Sequence, residues 1–372
     1  MIETDQELKD NASEVFLPDP HDEKKEKRAL VVLPDLEMNG AQTVMIKMIE
    51  IIKEESFSIT IISPEDGAYR KMYTKAGCIV AIRPYVVASE EFKDYMRKYD
   101  LVFLNSSSCI PYLYFFINTK TTVLLWLHET EQQLERTGTS IPHPLLLSPN
   151  INFAGVTRAV LRGIKRLYDY EINLLPMPIP DEHMKYADNV RKTDIVEFFI
   201  PAAYTYIKGQ DILLRAIAKL PKLFFEKAHF TFCGYKLPDQ DEYYRGIKEV
   251  ASKLENVTFL EQLSQDEVYK IYDQCDCVVA PSRIDATPTT IVEAMMFEKI
   301  VLVSSDTGIS EYLTDCVNGF VFKDEDELLK RLLLIISDLG SIGNIAKAGY
   351  HVYRDNFSPE AVKKALKNIL DR

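Results

Sequence analysis

The chain has 372 residues, 47% of them hydrophobic and 27% charged, which excludes wholesale disorder and supplies material for about two domains. Against 56 Asp and Glu stand 44 Lys and Arg, a net charge of −12, which argues against a nucleic-acid partner held by an overall basic field. The 6 cysteines form no C-x-x-C pair and the 6 histidines no H-E-x-x-H, so neither a disulfide scaffold nor a metal site is expected.

In chain order, residues 1–28 read as a charged tail without apolar periodicity or the apolar core of a secretory signal. No run approaches the roughly 18 apolar residues of a spanning helix, so a cytoplasmic location is expected. Order begins at ALVVLPDL (29–36), a short apolar run that predicts a buried strand. The loop EMNGAQ, a helix over TVMIKMIEIIKEE and a second strand in SFSITIIS (56–63) complete a strand–helix–strand unit, and the rhythm continues through CIVAI, DLVFLN, TTVLLWLH and INFAGVT. RAVLRGIKRLYDY (158–170) presents a basic helical face, which suits a solvated surface or a peripheral contact with an anionic membrane.

The proline-containing stretch 173–194 is the expected linker. Beyond it the alternation resumes: IVEFFIPAAY, the helix GQDILLRAIAKL, HFTFCGY, a helix near 240–254, NVTFLE, a helix at 265–274, CDCVVAPS, a helix from about 290, IVLVSS and NGFVF, with helices from 325 onward. This predicts two Rossmann-like α/β domains, 29–182 and 183–372, with a ligand between them near the carboxyl ends of the strands and the last helix packing back on the first domain.

The segment 278–313 holds the densest chemistry. A strand ends at Pro281-Ser282, Asp285 sits in the following loop, and Pro288 stands near a helix start where its missing N–H costs nothing. Thr289 or Thr290 is the expected cap of a helix carrying Glu293, whose amino end is a natural phosphate seat. Spacing alone leaves Glu293 equally readable as a surface acid, Lys208 as a surface lysine at a helix start, and His128 as a satisfied core histidine.

PSRIDATPTTIVEAM (281–295) resembles the E-x7-E motif of the retaining glycosyltransferases of family four, which have the GT-B fold. KGQDILLRAI (208–217), NGAQTV (39–44), LLWLHE (124–129) and SSDTGISEYLTDCVNGFVF (304–322) resemble further motifs of that family in the same order. The resemblance covers about residues 29–370. It implies two Rossmann-like domains facing across a cleft and transfer of a sugar from a nucleotide-sugar donor to a saccharide or lipid-linked acceptor, without cofactor or metal for the chemical step.

Residue by residue, the resemblance implies that Lys208 binds the donor diphosphate, Glu293 the ribose hydroxyls, and Asp285 the donor sugar near its reacting face. Backbone N–H groups at Thr289 and Thr290 complete the phosphate cradle, Gly40 and Ala41 let the backbone approach the donor phosphates and acceptor, and His128 lies beside the donor sugar. The chain departs from the pattern at Ala202, where the family has arginine, for which Arg283 or Lys236 would have to substitute. It departs also at Asp285 in place of glutamate, at Pro288, and at Asn39-Gly40. Ala202 supports an alternative: a weak or inactive glycosyltransferase-like subunit that binds a glycan or a partner enzyme.

Overall fold

The computed structural model describes residues 27–37, 40–83, 90–186, 194–237, 240–340 and 342–371. The chain divides into two compact units, Met1–Pro178 with Val362–Arg372, and Ile179–Ala361. The tail expected over 1–28 lies outside the described residues apart from Lys27 and Arg28. Those two already belong to the first strand, where Lys27 pairs with Phe57 and Arg28 with Ser58.

The first unit holds a seven-stranded sheet: β1 (Lys27–Val32), β2 (Phe57–Ser63), β3 (Ile79–Ile82), β4 (Leu101–Asn105), β5 (Thr122–Leu127), β6 (Ile151–Gly155) and β7 (Asn173–Leu174). The order is β3-β2-β1-β4-β5-β6-β7, with every pairing parallel. Parallel strands covered on both faces need continuous apolar sequence, and Ala29 through Leu33, Val102 through Leu104 and Val123 through Leu127 are fully buried. Trp126 sits within this core and donates its indole N–H to Leu175 O at 2.7 Å.

That bond, the β6–β7 pairing, and the burial of Leu175, Met177 and Ile179 correct the expectation of a loose linker from 173. Prolines spaced by large apolar residues form extended chain that packs, whereas a linker needs polar sequence. Helix α1 (Gly40–Glu54) follows β1, α2 (Glu131–Thr137) follows β5, and α3 (Arg158–Tyr168) follows β6. On α3, Lys165 pairs with Asp169 and Glu171, and Arg166 with Glu131, so part of the expected basic face is neutralised within the protein.

The second unit holds a six-stranded sheet: β8 (Val196–Pro201), β9 (Ala228–Cys233), β10 (Val257–Leu260), β11 (Cys277–Ala280), β12 (Ile300–Ser304) and β13 (Phe320–Phe322), in the order β10-β9-β8-β11-β12-β13. Its helices include α4 (Gln210–Ala218), α5 (Asp241–Ala251), α6 (Gln265–Gln274), α7 (Thr289–Met296), α8 (Glu325–Asp338) and α9 (Gly343–Asn356). Helix α10 (Pro359–Leu370) runs from this unit into the segment grouped with the first. Cross-strand aromatic pairs lock the register: Phe198 stacks on Phe230 at 4.6 Å and Phe232 on Phe259 at 4.8 Å.

Each sheet reverses its winding once, between β1 and β4 and between β8 and β11. Crossovers diverge there and leave the carboxyl ends of the two central strands uncovered, the usual ligand seat of open α/β sheets. Among the described residues no single helix is long and apolar enough to cross a membrane.

Candidate functional site

In the second unit, the chain leaving β8 and the chain leaving β11 emerge side by side at the reversal point. After β8, Tyr206–Lys208 form one 3-10 turn that ends on Gly209 in the left-handed region (φ 68) before α4 begins. A Cβ on Gly209 would lie 2.0 Å from Pro281 O, so only glycine lets the two loops touch. The contact brings Lys208 Nζ to 2.5 Å from Asp285 Oδ2, with the lysine side chain 30% exposed and the aspartate 12%. Lys208 is therefore no free surface lysine, and Asp285 faces it rather than solvent.

A second ion pair braces the same turn. Arg283 offers its two guanidinium nitrogens to Asp211 Oδ1 and Oδ2 at 2.8 and 2.6 Å, and donates to Tyr206 O at 2.6 Å. Its guanidinium lies 3.9 Å from the centre of the Tyr206 ring. These hydrogen bonds, with one from Arg215, hold the Asp211 carboxyl well below the usual range against the opposing effect of burial. The fork of Arg283 is thus committed to positioning the Lys208 turn. Lys236, the other candidate to replace the missing arginine, pairs with Asp241 at 2.5 Å.

Helix α7 starts at Thr289, and its N-cap is Pro288, which offers no side-chain hydrogen bond. This corrects the expectation that Thr289 or Thr290 caps the helix: they are its first two residues, because the fixed φ of proline sets the entry one position earlier. Their N–H groups have no carbonyl a turn back to bond and remain directed out of the helix start. The Asp285 carbonyl accepts from Gly308 N–H at 2.8 Å, which ties the loop before α7 to the one after β12.

Glu293 lies one turn into α7 and is 91% buried, which excludes the surface-acid reading. Tyr272 Oη lies 3.1 Å from its Oε2, and Gln265 Nε2 donates to its Oε1 at 3.3 Å. Burial pushes this carboxyl up to about 7, and the tyrosine hydroxyls of Tyr272 and Tyr269 oppose the rise. A carboxylate has about four lone-pair sites, so these two contacts leave it free to accept more hydrogen bonds.

The remaining expected residues belong to the first unit. Gly40 and Ala41 open α1, immediately after the β1 loop, while Asn39 lies outside the described residues. His128 follows β5, half-buried, its ring edge-on to Trp126 at 4.4 Å. Nε2 lies 2.9 Å from Asn105 Oδ1 at the end of β4, so Nε2 carries the proton and Nδ1 keeps its lone pair. Burial pushes the imidazole down to about 4, with partial opposition from Glu129, so the ring is neutral at pH 7. Glu129 in turn accepts the backbone N–H groups of His128 and Ser107 at 3.0 and 3.2 Å.

The sequence reading did not single out Asn105, Glu129, Asp211 or Tyr272. Asp211 had a signal in the K-G-x-D run; the others become visible only when strands meet. Together Lys208, Asp285 and the amino end of α7 offer one cation, one carboxylate and a helix start without a side-chain cap at the carboxyl ends of the central strands, an arrangement suited to a phosphate-bearing ligand with hydroxyls.

Residues 183–370 match the profile of the glycosyl transferases group 1 family. A stretch of 165 residues, 42% of this chain and 41% of the relative, is 30% identical to an uncharacterized glycosyltransferase of Methanocaldococcus jannaschii. The chain spans less than half the length of the curated relatives it matches. Among solved structures it is similar to Anabaena HepE in complex with UDP and glucose, with a TM-score of 0.76 and 16% identity over 93% of this chain and 99% of that one. It is likewise similar to a glycosyltransferase from Rickettsia africae, with a TM-score of 0.78 and 16% identity over 94% and 98%. At that identity the likeness is one of fold, two Rossmann-like parallel-sheet units of the GT-B class.

Proposed function

The chain belongs to the glycosyl transferases group 1 family, and from that premise we propose that it moves a sugar from a nucleoside diphosphate-sugar to a hydroxyl of a saccharide or lipid-linked saccharide, with retention of anomeric configuration. The observation that carries this reading is the pairing of Lys208 with Asp285 beside the uncapped start of α7. The lysine and the free N–H groups oppose the charge that grows on the diphosphate as the glycosidic bond breaks. The acceptor oxygen bonds to the anomeric carbon on the face the diphosphate leaves. The bonding electrons go to the phosphate oxygen, which takes the acceptor proton, so no strong protein base and no metal is required.

Glu293 accepts the ribose hydroxyls in its ionised form. HepE was solved with UDP and glucose, which supports a nucleotide-sugar as the ligand class. A polysaccharide or glycolipid product made at the inner face of a membrane fits the reading.

The second reading, an inactive or weak glycosyltransferase-like subunit, is favoured by Ala202 together with the pairing of both candidate replacement cations, Arg283 with Asp211 and Lys236 with Asp241. A thermal-shift screen with UDP, GDP, CDP and dTDP and their sugars separates the two, since a ligand of the folded state raises the melting temperature. The transferase reading expects a shift with one nucleotide and release of that nucleotide from its sugar. Lys208→Ala is expected to cost about 10²-fold or more in turnover, as loss of one donor to developing charge does. A wild-type protein that binds none of them, or a K208A variant with unchanged turnover, overturns it.

A further inference from the structure

Thr287 stands between Asp285 and the first helical residue of α7, and its hydroxyl is an anomaly. The residue is 7% exposed, and Oγ1 has no hydrogen-bond partner among the described residues. Native proteins rarely leave a buried hydroxyl unpaired, and each such group asks for a ligand or a function. Packing does not require it: its neighbours Ala286 and Pro288 are apolar and buried, and valine has the same outline. Helix capping does not use it either, since the N-cap is Pro288 and no side chain caps α7.

Two residues upstream, the Asp285 carboxylate holds Lys208; two residues downstream begins α7, whose start carries no side-chain cap. The unspent hydroxyl therefore belongs to the same short stretch as the elements assigned to the diphosphate. Backbone N–H groups only donate, which suits phosphate oxygens. A threonine hydroxyl both donates and accepts, which suits a sugar hydroxyl with the same dual capacity.

On the basis of the transferase reading above, we propose that Thr287 is a specificity-determining residue whose hydroxyl bonds one hydroxyl of the transferred sugar. A nucleoside diphosphate alone does not reach it; a nucleotide-sugar does. The pairing selects among sugars by leaving Oγ1 unpaired under an epimer that turns its hydroxyl elsewhere.

The test compares wild type with Thr287→Val, Thr287→Ala and Thr287→Ser. The probes are UDP-glucose, UDP-galactose, UDP-N-acetylglucosamine and GDP-mannose, with UDP and GDP as sugar-free controls. T287V is expected to melt at or above wild type and to keep its affinity for the free nucleoside diphosphate. Its kcat/KM for the preferred donor is expected to fall about tenfold or more, with reduced discrimination between epimers. T287S is expected to retain most of both, and T287A to repeat the T287V loss. If T287V and T287A keep the wild-type kcat/KM and sugar preference, Thr287 has no such role while the transferase reading stands. If wild type binds neither nucleoside diphosphate nor any of the donors, both fall together.

Discussion

Burial changes the chemistry of the site residues Glu293 and His128 in opposite directions. Glu293, raised to about 7, holds a proton in the folded chain at pH values where the unfolded chain has released it. Its contribution to stability is full below the ordinary carboxylate value and is lost as pH rises through about 7. His128, lowered to about 4, contributes stability that is full above its ordinary value and is lost as pH falls through about 4. Glu293→Gln is expected to remove the first slope, so that the melting temperature of the variant rises more steeply with pH from about 4 to 6.5 than that of wild type. If Glu293 binds ribose as a carboxylate, nucleotide affinity in wild type increases between about pH 6 and 8, and in E293Q it is weak and flat; calorimetry across that range checks both. Motif spacing pointed to both residues, whereas their shifted protonation comes from burial, which Tyr269 and Tyr272 oppose at Glu293 and Glu129 opposes at His128. No local pattern places those partners around them.

At the level of elements, the turn between β8 and α4 decides whether Lys208 is presented at all. Gly209 has a positive φ and no room for a Cβ beside Pro281 O, so Gly209→Ala combines backbone strain with a clash against main chain. The variant is expected to lose more than about 1 kcal/mol of stability, roughly 2–4 °C in melting temperature for a domain of this size, and to lose nucleotide binding as the turn shifts. A G209A variant with wild-type melting and binding would show that the loops separate without cost. Long periodic elements were readable in advance: α6 begins at Gln265 and ends at Gln274 as expected, because its Ser264–Glu267 capping box marks the start. Helix α2 was not readable in advance, although Thr130 and Gln133 form the same box at its start. Its seven residues are too short to show a period, and only Leu134 is buried.

At the scale of the whole molecule, the end of the chain is a structural part of the first unit. Helix α10 buries Val362, Leu366 and Ile369 at helical spacing, and Lys363 pairs with Glu54 at 2.9 Å. A chain ending at Ala361 is expected to lose on the order of several kcal/mol from that unit, read as a lower first transition in calorimetry or as insolubility; unchanged melting would show the helix to be dispensable. The sequence by itself determined the fold class, the strand–helix alternation and five ordered motifs, because buried parallel strands demand continuous apolar runs and helices a fixed period, both local properties. Only the tertiary structure decided that Lys208 meets Asp285, that Arg283 is spent on Asp211, and that the Thr287 hydroxyl has no partner among the described residues. Those facts depend on which strands lie side by side: β8 and β11 are about eighty residues apart in the chain, and the pairing that joins them at the reversal point appears only once the whole sheet has formed.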